Sequence, residues 1–232
     1  MKMGIDNHRP IKYHSAFDII GPVMVGPSSS HTAGALRVAL VTRKLLGQSP
    51  TEVVFELMGS FAETYRGHGT DRALAAGILG MSADDLRLPD ALDIAEKSGL
   101  KITFAKASGN LYHPNTVRII ARGTSDQIEV IGSSLGGGKI EIVEVDAFPV
   151  RLSGDRSALV LWHLDQPGFL ATVLTAVAGE GINVGRLSLE RANKGGTALV
   201  AIEIDGSYSV GLLDSLAPIR EAVLKSRLIM PV

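Results

Sequence analysis

The chain has 232 residues, 45% of them hydrophobic and 20% charged, with a formal net charge of −1 and no cysteine. That is enough apolar sequence for one large or two small packed domains, and a pI near 6.6 leaves no basic field for nucleic acid or a membrane surface. The missing thiols exclude disulfides, thiolate zinc sites, iron–sulfur clusters ligated within this chain and any cysteine nucleophile.

Residues 1–16 are polar and lack the apolar core of a signal peptide. No apolar run is long enough to span a bilayer, so a cytoplasmic location is expected. Residues 16–25 are mostly apolar and stop at Gly26-Pro27. A helix is predicted from Ser30 to about Leu46, because Leu36, Ala39 and Leu40 recur at helical spacing and Gly47 stands in the C′ position. Thr51–Met58 reads as a strand, with Val53, Phe55 and Leu57 alternating against polar neighbours. Gly59 to Asp71 reads as a loop, after which Thr70 or Asp71 caps a small-residue helix Arg72–Leu79. Pro89–Ser98 is a further helix, with Pro89 in its first turn and Gly99 after its end. Strands are predicted over Thr116–Arg122, Gln127–Gly132 and Lys139–Asp146, with a hairpin at Arg122–Asp126 and a glycine run at Gly136-Gly137-Gly138. Phe148–Arg156 reads as a linker.

Beyond the linker the pattern restarts. Strand Ser157–His163, helix Gly168–Gly179, strand Ile182–Arg191, turn Asn193–Gly196, strand Thr197–Asp205, a helix over 209–223 and strand Leu228–Val232 follow in turn. The order is βαββαβ, a split-βαβ, ferredoxin-like unit. The expected fold class is therefore α+β, with a mixed α/β domain over 1–150 and the ferredoxin-like domain over 155–232.

The densest chemistry lies in Gly26-Pro27-Ser28-Ser29-Ser30-His31-Thr32-Ala33-Gly34. Hydroxyls and an imidazole stand just before a helix, where unpaired N–H groups and the positive dipole end favour a carboxylate or phosphate. One serine suffices to cap a helix, so three followed by His31 point past capping. A second concentration is Gly67-His68-Gly69-Thr70-Asp71. Histidine titrates near neutral pH, so His31 and His68 can each serve as acid, base or carboxylate clamp, or tie two loops together. Hydroxyls of Ser28, Ser29, Ser30 and Thr32 suit a carboxylate. Asp71 either caps the next helix or orients His68. His113-Pro114-Asn115 reads as a turn leading into a strand, and His8, His14 and His163 stand in no motif. Ser30 and His31 are adjacent, so their side chains are expected to diverge. With no nucleophile elbow, this argues against a free-standing Ser–His hydrolase.

Three motifs in this order carry a family resemblance: Gly21-Pro22 with Gly26–Gly34, Gly59-Ser60-Phe61-Ala62-Glu63-Thr64-Tyr65 with Gly67–Asp71, and His113-Pro114-Asn115-Thr116. Over nearly the whole chain the sequence resembles the β subunit of iron–sulfur-dependent bacterial L-serine dehydratases. The N-terminal domain of that family is related to the allosteric substrate-binding domain of certain phosphoglycerate dehydrogenases. A dehydrogenase itself is not expected, since no glycine-rich dinucleotide fingerprint follows a predicted strand. The C-terminal unit resembles an ACT domain, on Asp165-Gln166-Pro167-Gly168-Phe169-Leu170 and Glu180-Gly181-Ile182-Asn183-Val184. Gly168 at a helix start lets a ligand approach backbone N–H groups closely, and Asn183 is expected near that same end.

The resemblance implies conversion of L-serine to pyruvate and ammonia, with a [4Fe–4S] cluster held by cysteines of an α subunit and acting on the serine hydroxyl. This chain has no cysteine, so it matches the two-subunit version, with a cysteine-bearing α subunit and L-serine as partners and no metal ligand of its own. His31 and His68 are then candidate catalytic residues. Ser28, Ser29, Ser30, Thr32, Gly67, Thr70 and Asp71 are candidate substrate-binding residues. Asp165, Gly168 and Asn183 are candidate effector-binding residues in an ACT unit that pairs into a homodimer. The alternative is a non-catalytic, serine-sensing regulatory subunit, which needs the same carboxylate grip.

Overall fold

A computed structural model of the chain describes residues 21–108, 113–206 and 211–232. The readings of 1–16 and 16–20, of His8 and His14, and of a helix beginning at 209 lie outside the described residues. Among the described residues, the architecture is mixed α/β with two sheets.

Leu36, Val38, Ala39, Val41, Leu45 and Leu46 repeat at helical spacing, and all are fully buried on α1 (Ala35–Leu46). Gly47 ends the helix with a φ of 74°. A π-helical segment, Ser29–Gly34, leads directly into α1, with Ser28 as its cap. The helix rests on a sheet built from β1 (Glu52–Met58), β2 (Lys101–Lys106), β3 (Asn115–Arg122), β4 (Gln127–Gly136), β5 (Lys139–Val145) and β6 (Phe148–Leu152). The strand order is β2-β1-β3-β4-β5-β6, and only the β1–β2 pair is parallel. Helices α2 (Gly59–Thr64), α3 (Thr70–Leu79) and α4 (Ala91–Lys97), the last preceded by a 3₁₀ turn at Leu88–Asp90, complete this unit. At the α1–α3 crossing, a Cβ on Gly77 would overlap the Leu36 carbonyl and come within 2.8 Å of the Ala39 Cβ. Only glycine lets these two helices approach so closely.

Several sequence expectations change here. The Gly59–Asp71 segment is not all loop, because α2 occupies its first half. Neither Thr70 nor Asp71 caps α3; Gly69 does, with a φ of 69°, and Thr70 is already helical. β2 was not anticipated, although Ile102 and Phe104 alternate with Lys101 and Thr103; Phe104 stacks on Phe55 at 5.1 Å. The supposed linker over Phe148–Arg156 begins with strand β6, paired with β5. The turn before it is built by Asp146 and Ala147 at φ of 48° and 65°, a conformation their side chains disfavour and the sequence does not announce.

The second sheet takes β7 (Ser157–Leu164), β8 (Val184–Arg191), β9 (Thr197–Ile204) and β10 (Val223–Ile229) in the order β10-β7-β9-β8, every pair antiparallel. Helix α5 (Phe169–Gly179) covers one face. Within the described part of the expected helix over 209–223, from residue 211 onward, there is instead a short α6 (Gly211–Asp214) and a 3₁₀ turn at Ala217–Ala222, because Pro218 cannot continue an α-helix. The last strand accordingly begins at Val223 rather than Leu228. β7 is buried on both faces. Ala158, Val160 and Trp162 join the core of the first sheet, while Leu159 and Leu161 pack with Phe169 and Val173 beneath α5.

Polar clamps tie the last strand to α1. Arg227 donates from Nε to the Leu45 carbonyl and from Nη2 to the Leu46 carbonyl, each at 2.9 Å, and pairs with Asp126 at 3.0 Å. Lys44 reaches the Met230 and Pro231 carbonyls at 2.9 Å. Trp162 Nε1 donates to Asp146 at 2.9 Å, and the Lys225 ammonium lies 4.7 Å over its ring. Among the described residues, no helix is long and apolar enough to cross a membrane.

Arg227→Ala removes both donors from the end of α1 and is expected to cost about 2 kcal/mol. Arg227→Lys is expected to recover little, because one ammonium does not reproduce the fork that serves two carbonyls and a carboxylate. Urea unfolding of the three proteins checks this, and an unchanged midpoint for Arg227→Ala contradicts it.

Candidate functional site

Ser28 is extended, with φ −148° and ψ 125°, and its hydroxyl accepts the His31 N–H at 3.1 Å. Capping is thus the work of one serine. The π segment that follows is pressed against β4: a Cβ on Gly34 would collide with the Ser134 side chain. π turns are rare in proteins and concentrate at functional sites.

His31 sits half-buried at the centre. Its Nδ1 lies 3.1 Å from Ser30 Oγ, and its Nε2 lies 3.1 Å from Ser60 Oγ. Ser30 Oγ is in turn 3.3 Å from Ser28 Oγ. The adjacent Ser30 and His31 side chains therefore converge, against expectation, because the π segment changes the angular offset between neighbours from that of an ordinary helix. Hydrolase chemistry gains nothing from this, since both ring nitrogens face hydroxyls and not the carboxylate that orients a catalytic triad. The ring also meets Phe61 edge-on at 5.3 Å and His68 edge-on at 4.8 Å. Burial, and secondarily the electrostatic effect of the neighbouring His68, hold the His31 imidazole below its ordinary value. That environment favours the uncharged ring over the imidazolium.

Local structure fixes Ser60. Gly59 opens α2 with a φ of 56° directly against the Pro114 carbonyl, which accepts the Ser60 N–H at 2.7 Å. The Ser60 carbonyl accepts the Thr64 hydroxyl at 2.7 Å. All three sequence motifs thus meet at one place: His31 from the first, Ser60 and His68 from the second, Pro114 from the third. Ser60 was not singled out from sequence. Its signal was its position in the Gly59–Tyr65 motif, and its role depends on a contact across 29 positions.

The other candidates divide. Thr32 is buried and donates to the His68 carbonyl at 3.3 Å, which ties the two loops together. Ser29 lies against Gly21, and Gly67 is exposed. Thr70 is fully buried and its hydroxyl has no hydrogen-bond partner, so it does not face a solvent-borne substrate in this state. The Asp71 carboxylate accepts the Arg72 N–H at 2.9 Å. His113 Nδ1 accepts the Asn115 N–H at 3.2 Å, in keeping with a turn.

In the C-terminal unit, Asp165 accepts from Gly195 N and Arg191, both at 3.0 Å, next to Gly168, whose φ is 83° and whose Cα faces open space. Asn183 does not share that end. It follows the far end of α5 and donates to Asp205 at 2.8 Å. The length of β7 separates the two clusters, about 23 Å at 3.3 Å per residue. A residue the sequence left unassigned stands near the first cluster: His163 is 2% exposed, stacks on Phe169 at 3.7 Å, and has an Nε2 with no hydrogen-bond partner. Among the described residues, no group of three or more His, Cys, Asp or Glu is placed to hold a metal. With no cysteine in the chain, its residues do not fit the ligand set of an iron–sulfur cluster.

A family model described as serine dehydratase beta chain matches residues 15–100, the stretch containing His31, Ser60 and His68. A Bacillus subtilis (strain 168) protein named probable L-serine dehydratase, beta chain, is 45% identical over 207 residues, covering 89% of this chain and 94% of that one. The L-serine dehydratase, beta chain, of Peptoniphilus asaccharolyticus is 39% identical over 205 residues, covering 88% of this chain and 92% of that one. A D-3-phosphoglycerate dehydrogenase of Synechocystis sp. is 24% identical over 170 residues, covering 72% of this chain but 31% of its own length. The chain belongs to the serine dehydratase β-chain family.

Burial holds both His31 and His163 below the ordinary imidazole value. The unfolded chain binds protons near pH 6.5, where these two rings in the fold do not. Stability is therefore unaffected by them above that pH and falls as pH drops from about 6.5 through their folded values. Urea midpoints measured from pH 8 to 5 should be flat and then decline, and His31→Gln should make the decline shallower. A decline as steep in His31→Gln as in the wild type would mean that His31 does not contribute to it.

Proposed function

We propose that this chain is the β subunit of a two-subunit, cytoplasmic L-serine dehydratase, which converts L-serine to pyruvate and ammonia together with a cysteine-bearing α subunit. The observation that carries the reading is the seat of His31: a neutral imidazole between two serine hydroxyls, edge-on to His68, where all the family motifs converge. The elimination needs a proton taken from Cα, a hydroxyl assisted to leave and a carboxylate held. A neutral, fixed imidazole suits proton transfer. The serine and threonine hydroxyls around it suit a carboxylate. A [4Fe–4S] cluster, which would polarise the departing hydroxyl, is assigned to thiolates of the partner, since this chain has none.

The same reading takes the C-terminal unit as an ACT domain that pairs into a homodimer. In its support, the second sheet runs fourth-first-third-second in chain order, as a split-βαβ unit does, and Gly168 leaves its backbone open. Gly168 and Asn183 stand at opposite ends of one unit, so an effector that touches both must lie between two copies.

Mixed with its α partner, the chain should give serine-dependent pyruvate, and His31→Ala should lower kcat by about 100-fold or more. Full activity of the α subunit alone would favour the non-catalytic sensor instead. Light scattering of the isolated chain should give a dimer, and calorimetry should show L-serine or a related amino acid binding that Asn183→Ala weakens. A monomer that binds no amino acid would overturn the ACT reading.

A further inference from the structure

Ser28, Ser30, His31 and Ser60 form an unbroken series of polar contacts at 3.3, 3.1 and 3.1 Å. We propose that this series is a proton wire, that a proton crosses it by a change of the His31 tautomer, and that the Ser60 hydroxyl terminates it. The proposal rests on the dehydratase reading.

The hydrogen-bond inventory allows two complete arrangements. In one, Ser28 donates to Ser30, Ser30 donates to Nδ1, and the Nε2 proton goes to Ser60, whose own proton points onward. In the other, Ser60 donates to Nε2, the Nδ1 proton goes to Ser30, and Ser30 donates to Ser28. The Ser28 oxygen already accepts the His31 N–H at 3.1 Å, and its second lone pair takes this bond. Each group carries the same number of protons in both arrangements. The wire therefore passes one proton from end to end while the imidazole stays neutral. Half-burial and the neighbouring His68 make an imidazolium costly, so a neutral passage is the easier one.

The elimination moves one proton from Cα to the departing oxygen, and such a wire can carry it. The Cα–H bond breaks, its electron pair becomes the Cα–Cβ double bond, and the proton joins the hydroxyl oxygen of Ser60 or Ser28 at one end of the wire. Within the wire each O–H or N–H bond breaks as the next forms. At the other end the released proton joins the departing hydroxide as water, while the C–O bond breaks with its pair on oxygen. No oxidant, reductant or further acid is consumed.

The Ser60 hydroxyl is not needed to hold its own backbone. Its N–H is taken by Pro114, and its carbonyl by Thr64. Ser60→Ala should therefore fold, with a thermal midpoint near that of the wild type, and Ser60→Thr should keep both the fold and the hydroxyl.

The decisive measurement is nitrogen NMR of the His31 ring in the full chain alone. The wild type should give two averaged shifts, from tautomers in exchange, and Ser60→Ala should collapse them to one fixed tautomer. In the complex with the α subunit, Ser60→Ala should lower kcat by about tenfold or more, with KM within about twofold. Ser60→Thr should restore most of it. The wild-type proton inventory in mixed H2O and D2O should be bowed and should become linear in Ser60→Ala. A single fixed tautomer in the wild type, or a folded Ser60→Ala with unchanged kcat and inventory, overturns the wire. If the wild-type complex makes no pyruvate, the dehydratase reading fails, and the NMR result still decides whether the wire exists.

Discussion

Helix α1 is held at both ends by groups from distant parts of the chain, and the site depends on that double hold. At its start the π segment is capped by Ser28, pressed on β4 through Gly34 and Ser134, and tied to Ser60 through the His31 ring. At its other end Arg227 of the last strand caps the final carbonyls. Four C-terminal carbonyls of any helix lack partners within it, so a charged donor there contributes as a cap and as a favourable charge at the dipole's negative end. Helix α1 therefore links the histidine near its start to the last strand of the second sheet at its end.

That double hold explains why a half-buried histidine can be kept neutral and still be precisely oriented. Burial alone makes imidazolium costly but leaves a ring free to turn. Hydroxyls on both nitrogens remove the freedom without adding a charge, as a carboxylate would. A carboxylate in the place of Ser60 would raise the His31 value and make a permanent cation more favourable. The arrangement seen here suits a group that hands protons on and does not store them.

The two sheets differ in how much of them could be read in advance. Strands β1, β3, β5, β7 and β9 alternate or are apolar throughout, and that period survives whatever they pack against. β6 is hidden because its hairpin turn uses Asp146 and Ala147 instead of the Asn and Gly that favour such a turn. Asp146 is kept there by bonds to the Glu129 N–H at 3.0 Å and to Trp162, both from other strands. The last helix breaks at Pro218, and the apolar spacing around it masked the break.

The sequence by itself determined the mixture of helices and strands, the absence of cysteine and the placing of His31 and His68 in dense polar motifs, since composition and short motifs carry these without reference to distant residues. Only the tertiary structure decided that Ser30 turns toward His31, that Ser60 meets the same ring, that Thr70 is buried, and that Asn183 stands away from Gly168. The physical reason is common to all four. A side chain's direction depends on the exact backbone turn and on packing against elements far along the chain, and neither leaves a periodic trace in the order of residues.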